Sequence, residues 1–341
     1  MNVTTEGIDL AKNVFSVHGV GKDGKVVLRR SVGRADLLPM FAQMPRCLIG
    51  MEACSGAHHF ARELRGLGHD ARIMAPRFVA PYRKSGKNDG NDAEAICEAV
   101  ARPTMRFVAV KSVEQQAVLV LHRVRKEVSD QRTALINPLR GMLCKFGVVL
   151  PRGRYSFRHK LPPVLEERAN AIPDLARRLF REVNERIGAL DAQILAYDRE
   201  IEALARHSEA ARRLMQMPGI GAITTSAIVA SVADMKVFSS WRQFAAWLGL
   251  VLRQFSTGSK VRLGRITKRG DVYLRTLLIH GTRAVLAALG TKDDPLSRWI
   301  RSLIERRGYR KAAVALAAKH ARMVWAMLAK GEPYRRAAAT Q

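Results

Sequence analysis

Four carboxylates stand where an isolated acid would be awkward. Asp9 ends the short apolar run Gly7-Ile8-Asp9, and Glu52 ends another, Leu48-Ile49-Gly50-Met51. Both runs read as strands, which puts the two acids at strand edges and not on solvated helix faces. Asp89 and Asp92 are three apart, at the start of a helix that the pattern begins near Asp92, and residues so spaced share one helix face. Gathered carboxylates repel one another unless cations neutralise them, and oxygen donors of this kind suit Mg²⁺ or Mn²⁺. Such ions activate an attacking oxygen and stabilise a leaving oxygen at phosphorus. Taken singly, each acid has an ordinary alternative, Asp9 in a turn and Asp92 as a helix cap. Their order along the chain carries the reading.

A second set of chemical groups lies toward the other end. Leu248-Gly249-Leu250 ends a helix, and the chain then enters the Gly/Ser-rich stretch Ser256-Thr257-Gly258-Ser259-Lys260. Arg253, Lys260, Arg262, Arg265, Lys268, Arg269 and Arg275 crowd around it. Hydroxyls, backbone N–H groups and cations together are the surroundings in which a serine attacks a phosphodiester. No base stands beside the serine, and composition alone favours a phosphate-contacting loop without covalent chemistry. Pro218-Gly219-Ile220-Gly221 resembles a helix-hairpin-helix turn, whose amides at Gly219 and Gly221 would hold a phosphate at the following helix start. A plain interhelical turn reads the same four residues. Trp241, Phe244 and Trp247 follow helical spacing and read as core, not as a base-stacking platform.

The elements that must position these groups fall into three stretches. Residues 1–112 look like α/β: strands at Gly7–Asp9, Val14–Val20 and Val26–Leu28, a turn at Gly21-Lys22-Asp23-Gly24, strands at Cys47–Met51 and Ala71–Met74, helices over Gly56–Gly68 and Asp92–Ala101, and a last run at Phe107–Val110. Residues 113–210 read as a helical spacer. A long helix over Ser112–Gly147 is followed by a Pro/Arg-rich loop and by a second helix, Ile172–Ala210. In that helix Leu175, Leu179, Val183, Ile187, Leu190, Ile194, Tyr197 and Ile201 step by three and four, the spacing of a helix–helix seam. Such a hairpin is first of all structural, and mediating dimerisation is a further role it suits. Residues 211–341 are helical and basic, closing with helices over Val272–Leu289 and Lys311–Ala329.

Composition narrows the function further. In 341 residues, 58 Lys+Arg stand against 30 Asp+Glu for a net charge of +28, which calls for a polyanionic partner, nucleic acid before any other. A membrane surface would need an amphipathic anchor or lipid signal, and neither is visible. No run approaches the roughly 18–20 unbroken apolar residues of a membrane span. The start, Met1-Asn2-Val3-Thr4-Thr5-Glu6, has no signal-peptide character, which places the protein in the cytoplasm. Cys47, Cys54, Cys97 and Cys144 form no C-x-x-C pair and read as reduced packing thiols, against disulfides and structural zinc.

The strand-borne Asp, the later strand-ending Glu and the Asp-x-x-Asp before a helix, on a β-β-β-α-β-α pattern, resemble the RNase H-like nucleases of the RuvC type over the first third of the chain. A more specific resemblance spans nearly all of it. Gly7-Ile8-Asp9-Leu10-Ala11-Lys12, Met51-Glu52-Ala53-Cys54-Ser55-Gly56, Asn88-Asp89-Gly90-Asn91-Asp92-Ala93, Pro218-Gly219-Ile220-Gly221 and Ser256-Thr257-Gly258-Ser259-Lys260 with Leu263-Gly264-Arg265-Ile266-Thr267-Lys268-Arg269-Gly270 resemble, in order, the signatures of the DEDD transposases of the IS-one-ten insertion-sequence family. The resemblance implies a RuvC-like catalytic domain at 1–112, a coiled-coil spacer at 113–210 and a helical transposase domain at 211–341. It also implies dimers assembling to a tetramer on donor and target DNA, guided by a structured non-coding bridge RNA that pairs with both. The family's metal-binding acids carry over to Asp9, Glu52, Asp89 and Asp92. Its serine, which links covalently to DNA in a site assembled from two subunits, carries over to Ser256. Many relatives place that serine directly before a glycine, where this chain has Thr257, so Thr257 and Ser259 are the alternates. Two other readings fit the same residues: a nuclease or junction resolvase acting by hydrolysis, and a non-catalytic basic nucleic-acid-binding protein.

Overall fold

The computed structural model describes residues 3–84, 86, 88–258 and 260–334. They form two compact units, residues 3–112 with Val232–Ser239, and 113–231 with 240–334. In the first, β1 (Thr5–Asp9), β2 (Val14–Val20), β3 (Val26–Gly33), α1 (Leu37–Ala42), β4 (Leu48–Glu52), α2 (Ala57–Gly66), β5 (Asp70–Met74), α3 (Pro76–Val79), α4 (Asp89–Val100) and β6 (Phe107–Val108) follow in order. Among the described residues the strands make a six-stranded sheet of order β3-β2-β1-β4-β5-β6. β1 is antiparallel to β2 and parallel to β4, which is parallel to β5.

Alternation along the strands sends side chains to two different covers. Ile8, Phe15, Val17, Ile49, Met51 and Ile73 share one core with Leu37 and Phe41 of α1 and Phe60 and Leu64 of α2, where the Phe15 and Phe60 rings meet edge to face at 5.1 Å. On the opposite face lies α4, and two glycines let it come close. A Cβ on Gly7 would fall 2.2 Å from the Ala93 carbonyl oxygen and 2.3 Å from the Cys97 amide nitrogen, and one on Gly50 would fall 2.7 Å from the Val100 Cβ. No side chain fits at Gly7, because backbone atoms cannot yield as a side-chain tip can.

The apolar pattern ends the third strand at Leu28, whereas β3 continues to Gly33. Its Arg29-Arg30-Ser31 face water at the sheet edge, so the strand is held by its ladder with β2 and gives no apolar signal; charge on an edge also discourages pairing with other chains. Helix α1 has no counterpart in the sequence pattern. Helix α4 begins at Asp89, one turn before the expected start near Asp92.

The second unit holds α5 (Val113–Cys144), α6 (Arg154–Glu166), α7 (Asp174–His207), α8 (Glu209–Leu214), α9 (Ala222–Ser231), α10 (Trp241–Trp247), β7 (Leu252–Gln254), β8 (Leu263–Ile266), α11 (Val272–Ala287), α12 (Pro295–Arg307) and α13 (Tyr309–Ala329). Helices α5 and α7 run antiparallel: Arg125 pairs with Asp198, and Arg132 pairs with Asp191 at 2.7 Å. Phe180, Ile187, Ile194 and Ile201, seven apart, are buried on α7 along with Arg177 and Ala205, while Leu175 and Leu179 of the expected seam are exposed. Helices α5 and α7 also pack on α9.

The Pro/Arg-rich loop expected around residues 150–154 is present up to Gly153, and between it and α7 the chain forms a helix with no counterpart in the sequence pattern, α6, despite Pro162 and Pro163 inside it. Burial of Phe157, Leu161 and Leu165 in one core with Leu139, Leu143 and Phe180 outweighs the cost of two prolines in a helix. Three helices close the chain in place of the expected two. The added one, α12, starts at Pro295 behind Asp294, whose carboxylate accepts from the Leu296 and Ser297 amides at 3.0 and 3.1 Å. By length and composition α13 could cross a membrane, but its Ala312, Leu316, Ala321 and Val324 are buried and it packs on α10, α11 and α12.

The close approach at Gly7 gives a first prediction. In calorimetric melts of the chain, Gly7→Val should lower stability by about 1–3 kcal/mol, the cost of overpacking a filled interior. Gly66→Ala, with nothing within 4 Å of its added carbon, should shift it by less than about 1 kcal/mol. Equal stability of the two variants would contradict the packing of α4 on β1.

Candidate active site

Asp9 and Glu52 are the last residues of two adjacent parallel strands, and the register pairing Ile8 with Met51 sets them side by side. Both follow a glycine by two positions, Gly7 and Gly50, so both project from the face on which α4 lies. Opposite them α4 opens. Asn88 is its N-cap, accepting from the Asn91 amide at 2.8 Å, and Asp89 and Asp92 lie in its first turn, where the helix dipole favours negative charge. The four acids, from three separate chain segments, line one open cavity of about 550 Å³ with Pro76, Arg77, Ala80 and Arg83.

Two cations in that wall carry no signal in the sequence. Arg77 lines the cavity, and the Arg83 Nε donates to an oxygen of Asp92, whose side chain is largely buried. Nothing in local spacing separates these two from the other Lys and Arg in a total of 58; only the fold shows that the segment after β5 passes over the acids.

The donor set suits a hard divalent cation in kind, being carboxylate oxygens around a shared opening. Among the described residues no three His, Cys, Asp or Glu side chains stand close enough together to hold one ion, and Arg83 is the cation that neutralises Asp92 here. The four residues fit such a metal by chemistry and by sharing a cavity, with Arg83 in competition for one of them.

A fifth acid on β1 plays a different part. Glu6 is fully buried on the other face, its carboxyl pushed up to about 7 by burial, with the Cys47 thiol donating to it at 3.9 Å. Burial likewise pushes the Cys47 and Cys97 thiols up to about 12, as expected of packing thiols. Cys54 and Cys144 are instead exposed, so the packing reading does not extend to them, and all four are free.

In the second unit the expected Ser/Gly loop is a β-hairpin. Strands β7 and β8 pair antiparallel, a bridge joins Thr257 to Lys260, and Gly258 takes φ +55° at the tip. Ser259 lies outside the described residues. The Ser256 Oγ accepts from the Gln254 Nε2 at 2.9 Å and from the Arg262 amide at 3.3 Å. Both neighbours are donors, which orients the hydroxyl but supplies no base. Thr257 is exposed beside it, as are Arg253, Lys260, Arg262, Arg265, Lys268 and Arg269.

The base of the hairpin is tightly built. Cβ atoms on Gly249 and Gly270 would fall 2.0 Å from the Arg269 oxygen and 1.7 Å from the Trp247 oxygen. Arg275 is buried there, its guanidinium donating to the Leu248 and Arg269 carbonyls at 2.9 and 3.3 Å. It clamps the hairpin's root and does not join the exposed cationic face expected from the sequence.

Gly219, at φ +76°, packs against Gly281 of α11, where its Cβ would meet the carbonyl oxygen at 2.5 Å, and Gly221 is open. That contact accounts for Gly219 as a tight turn. Of the three aromatics, Phe244 is buried and stacks on Trp247 at 5.9 Å, while Trp241 is half-buried beneath the guanidinium of Arg322 at 4.4 Å.

Both candidate sites fall within matches to known proteins. A family model for DEDD-type transposases of IS110 elements matches residues 6–147, and the model of the transposase IS116/IS110/IS902 family matches 211–295, so the four acids fall in one and the hairpin in the other. The chain is 50% identical over 336 residues to a probable family 20 transposase of Pseudomonas aeruginosa, covering 98% of this chain and 99% of that one. It is 43% identical over 329 residues to the transposase for insertion sequence element IS1111A of Coxiella burnetii, covering 96% and 90%. With the transposase for insertion sequence element IS1328 of Yersinia enterocolitica it shares 40% identity over 330 residues, covering 97% and 98%. The chain belongs to the IS110 family of insertion-sequence transposases.

Proposed function

We propose that this transposase is an RNA-guided DNA recombinase, cutting and rejoining donor and target DNA with the four acids of the first unit and Ser256 of the second. The observation that carries the reading is the convergence of Asp9, Glu52, Asp89 and Asp92 on one cavity. The element order β-β-β-α-β-α supports an RNase H-like, RuvC-type first domain (1–112), and the antiparallel α5–α7 pair with its seven-residue stripe supports a coiled-coil spacer (113–210) ahead of the transposase domain (211–341). The net charge of +28 suits a chain that holds both a bridge RNA and DNA. In this reading it works in the cytoplasm as dimers assembling to a tetramer.

Bound between the acids, Mg²⁺ or Mn²⁺ would supply Lewis-acid charge at the phosphorus and at the oxygens that attack and leave. The chain's own residues do the rest. Arg83 holds Asp92 and would yield it to a bound cation, and Arg77 offsets charge on the phosphate. The Ser256 Oγ, held by Gln254 and the Arg262 amide, attacks the phosphate. A serine oxygen–phosphorus bond forms, the bond to one DNA end breaks, and that end leaves as a hydroxyl carrying the serine's proton. Attack by a second strand's hydroxyl then reverses the step, so the bond energy is conserved without ATP. Because both hydrogen-bond partners described for Ser256 are donors, its activation comes from the acid centre, in this reading that of another subunit. The exposed Arg253, Lys260, Arg262, Arg265, Lys268 and Arg269 hold phosphates around it, and the open Gly221 offers a further phosphate contact. Arg275 supports this surface from below.

Strand-cleavage assays with the guide RNA and DNA test the acid centre. Asp9→Asn, Glu52→Gln, Asp89→Asn and Asp92→Asn should each lower cleavage by at least about a hundredfold, with nucleic-acid binding retained because one charge among +28 hardly changes the field. Full activity in excess chelator, or in two of the four variants, would rule the metal centre out.

Peptide mapping of a trapped protein–DNA adduct tests the serine. DNA should be found on Ser256, and Ser256→Ala should abolish adduct and rejoining while RNA binding persists, with Thr257→Ala and Ser259→Ala milder. An adduct on Thr257 or Ser259 would move the assignment, and cleavage without any adduct would favour hydrolysis by water.

A further inference from the structure

The row of acids on the sheet continues into residues of another kind. Asp9 is the register partner of Ser16, and Ser16 is the partner of Ser31. Partners in an antiparallel ladder project from the same face. Glu52, Asp9, Ser16 and Ser31 therefore form one line across the adjacent strands β4, β1, β2 and β3, two carboxylates followed by two hydroxyls, spanning roughly 14 Å at the usual strand spacing. The hydroxyl half floors a groove of about 430 Å³ that also contains His18, Arg29 and Glu94 and shares Asp89 with the acid cavity.

The charges in this groove are arranged unevenly. Arg29 Nη2 lies 3.1 Å from one oxygen of Glu94, and Lys84 Nζ, reaching in from beside the groove, lies 2.9 Å from the other; with Arg30 and Asp89 also in the lining, one positive charge is left over. Both pairings are partly exposed and exchangeable with solvent. Burial holds His18 below the ordinary histidine value, which favours its neutral form, so it adds no positive charge to the two cations. None of these groups takes part in the four-acid chemistry. A polyanion approaching four carboxylates is repelled by them, and a channel of hydroxyl donors and surplus cations in line with them is what offsets that repulsion on one side.

We propose that this groove holds the DNA strand being cut, on one side of the scissile phosphate. Ser16 and Ser31 donate to its phosphates, and Arg29 and Lys84 exchange Glu94 for a phosphate oxygen. Glu94 is the internal counterion that keeps the two cations in place when DNA is absent. The assignment to the strand being cut rests on the reading of the four acids as the cutting centre; the binding itself does not.

Binding is measured by fluorescence anisotropy on the whole chain in excess chelator, with a single-stranded DNA oligonucleotide and an RNA of the same sequence as probes. Arg29→Ala with Lys84→Ala should weaken DNA binding roughly three- to tenfold and reduce the salt slope by about 0.7 for each phosphate that is no longer neutralised. Ser16→Ala with Ser31→Ala should weaken it less. Glu94→Gln should act in the opposite direction and tighten binding, an outcome that misfolding would not produce. In the cleavage assay the cation variants should raise KM and leave kcat within about twofold. Unchanged affinity and slope in the Arg29/Lys84 pair would overturn the proposal, as would a loss confined to the RNA probe. Because the binding arms are read in chelator, a failure of the four-acid chemistry leaves them readable and separates the two ideas.

Discussion

The first unit depends on one close contact, the backbone of α4 lying directly on the backbones of β1 and β4. It is possible because Gly7 and Gly50 carry no side chain where Ala93, Cys97, Ile96 and Val100 press in. Two residues further along each strand stand Asp9 and Glu52, and at the near end of the helix stand Asp89 and Asp92. The same contact that seals this face of the sheet also brings four like charges to one opening. Mutual repulsion of the acids is thus opposed by packing that the glycines make tight, with Arg83 supplying part of the compensation at Asp92. A site of this kind is built to take up positive charge.

The second unit solves a different problem, presenting the Ser256 hydroxyl on a surface of exposed cations while keeping it in position. The root of the β7–β8 hairpin is fixed by glycine contacts at Gly249 and Gly270 and by the buried Arg275. The tip, with Ser256 and Thr257, projects with exposed Phe255, Val261 and Leu263 around it. Apolar side chains left in water on a short hairpin are unusual for a finished surface. The serine's hydrogen-bond partners are both donors. In the proposed reading, a rigid root and such a serine suit a nucleophile activated by the acid centre.

Much of the acid centre is legible in the chain because it rests on local signals. Short apolar runs ending in Asp9 and Glu52 mark buried parallel strands, and the spacing of Asp89 and Asp92 marks one helix turn. Asn88 as a cap is also readable in principle, but apolar periodicity rises only after Asp92, so the expected helix begins a turn late. What stays hidden is non-local or lacks a pattern. Arg83 meets Asp92 only through the path of the chain after β5. β3 and the β7–β8 hairpin are solvated, and exposed strands lose the alternation by which strands are recognised. Helix α6 forms against its prolines because its apolar residues are buried by α5 and α7. Gly219 reads in the sequence as a phosphate turn, and its reason in the fold is Gly281, far along the chain in α11.

The proposed chemistry of this transposase turns on Asp9, Glu52, Asp89 and Asp92 taking up a divalent cation together. Titration of the whole chain with Mn²⁺, followed by electron paramagnetic resonance of the free ion, reads this without DNA, RNA or turnover. Mn²⁺ binding should be saturable and displaced by Mg²⁺, lost in the Asp9→Asn, Asp92→Asn double variant and strengthened by Arg83→Ala, which frees Asp92 from its competitor. Mn²⁺ binding that is the same in all three proteins, or absent from each, would refute a shared metal site.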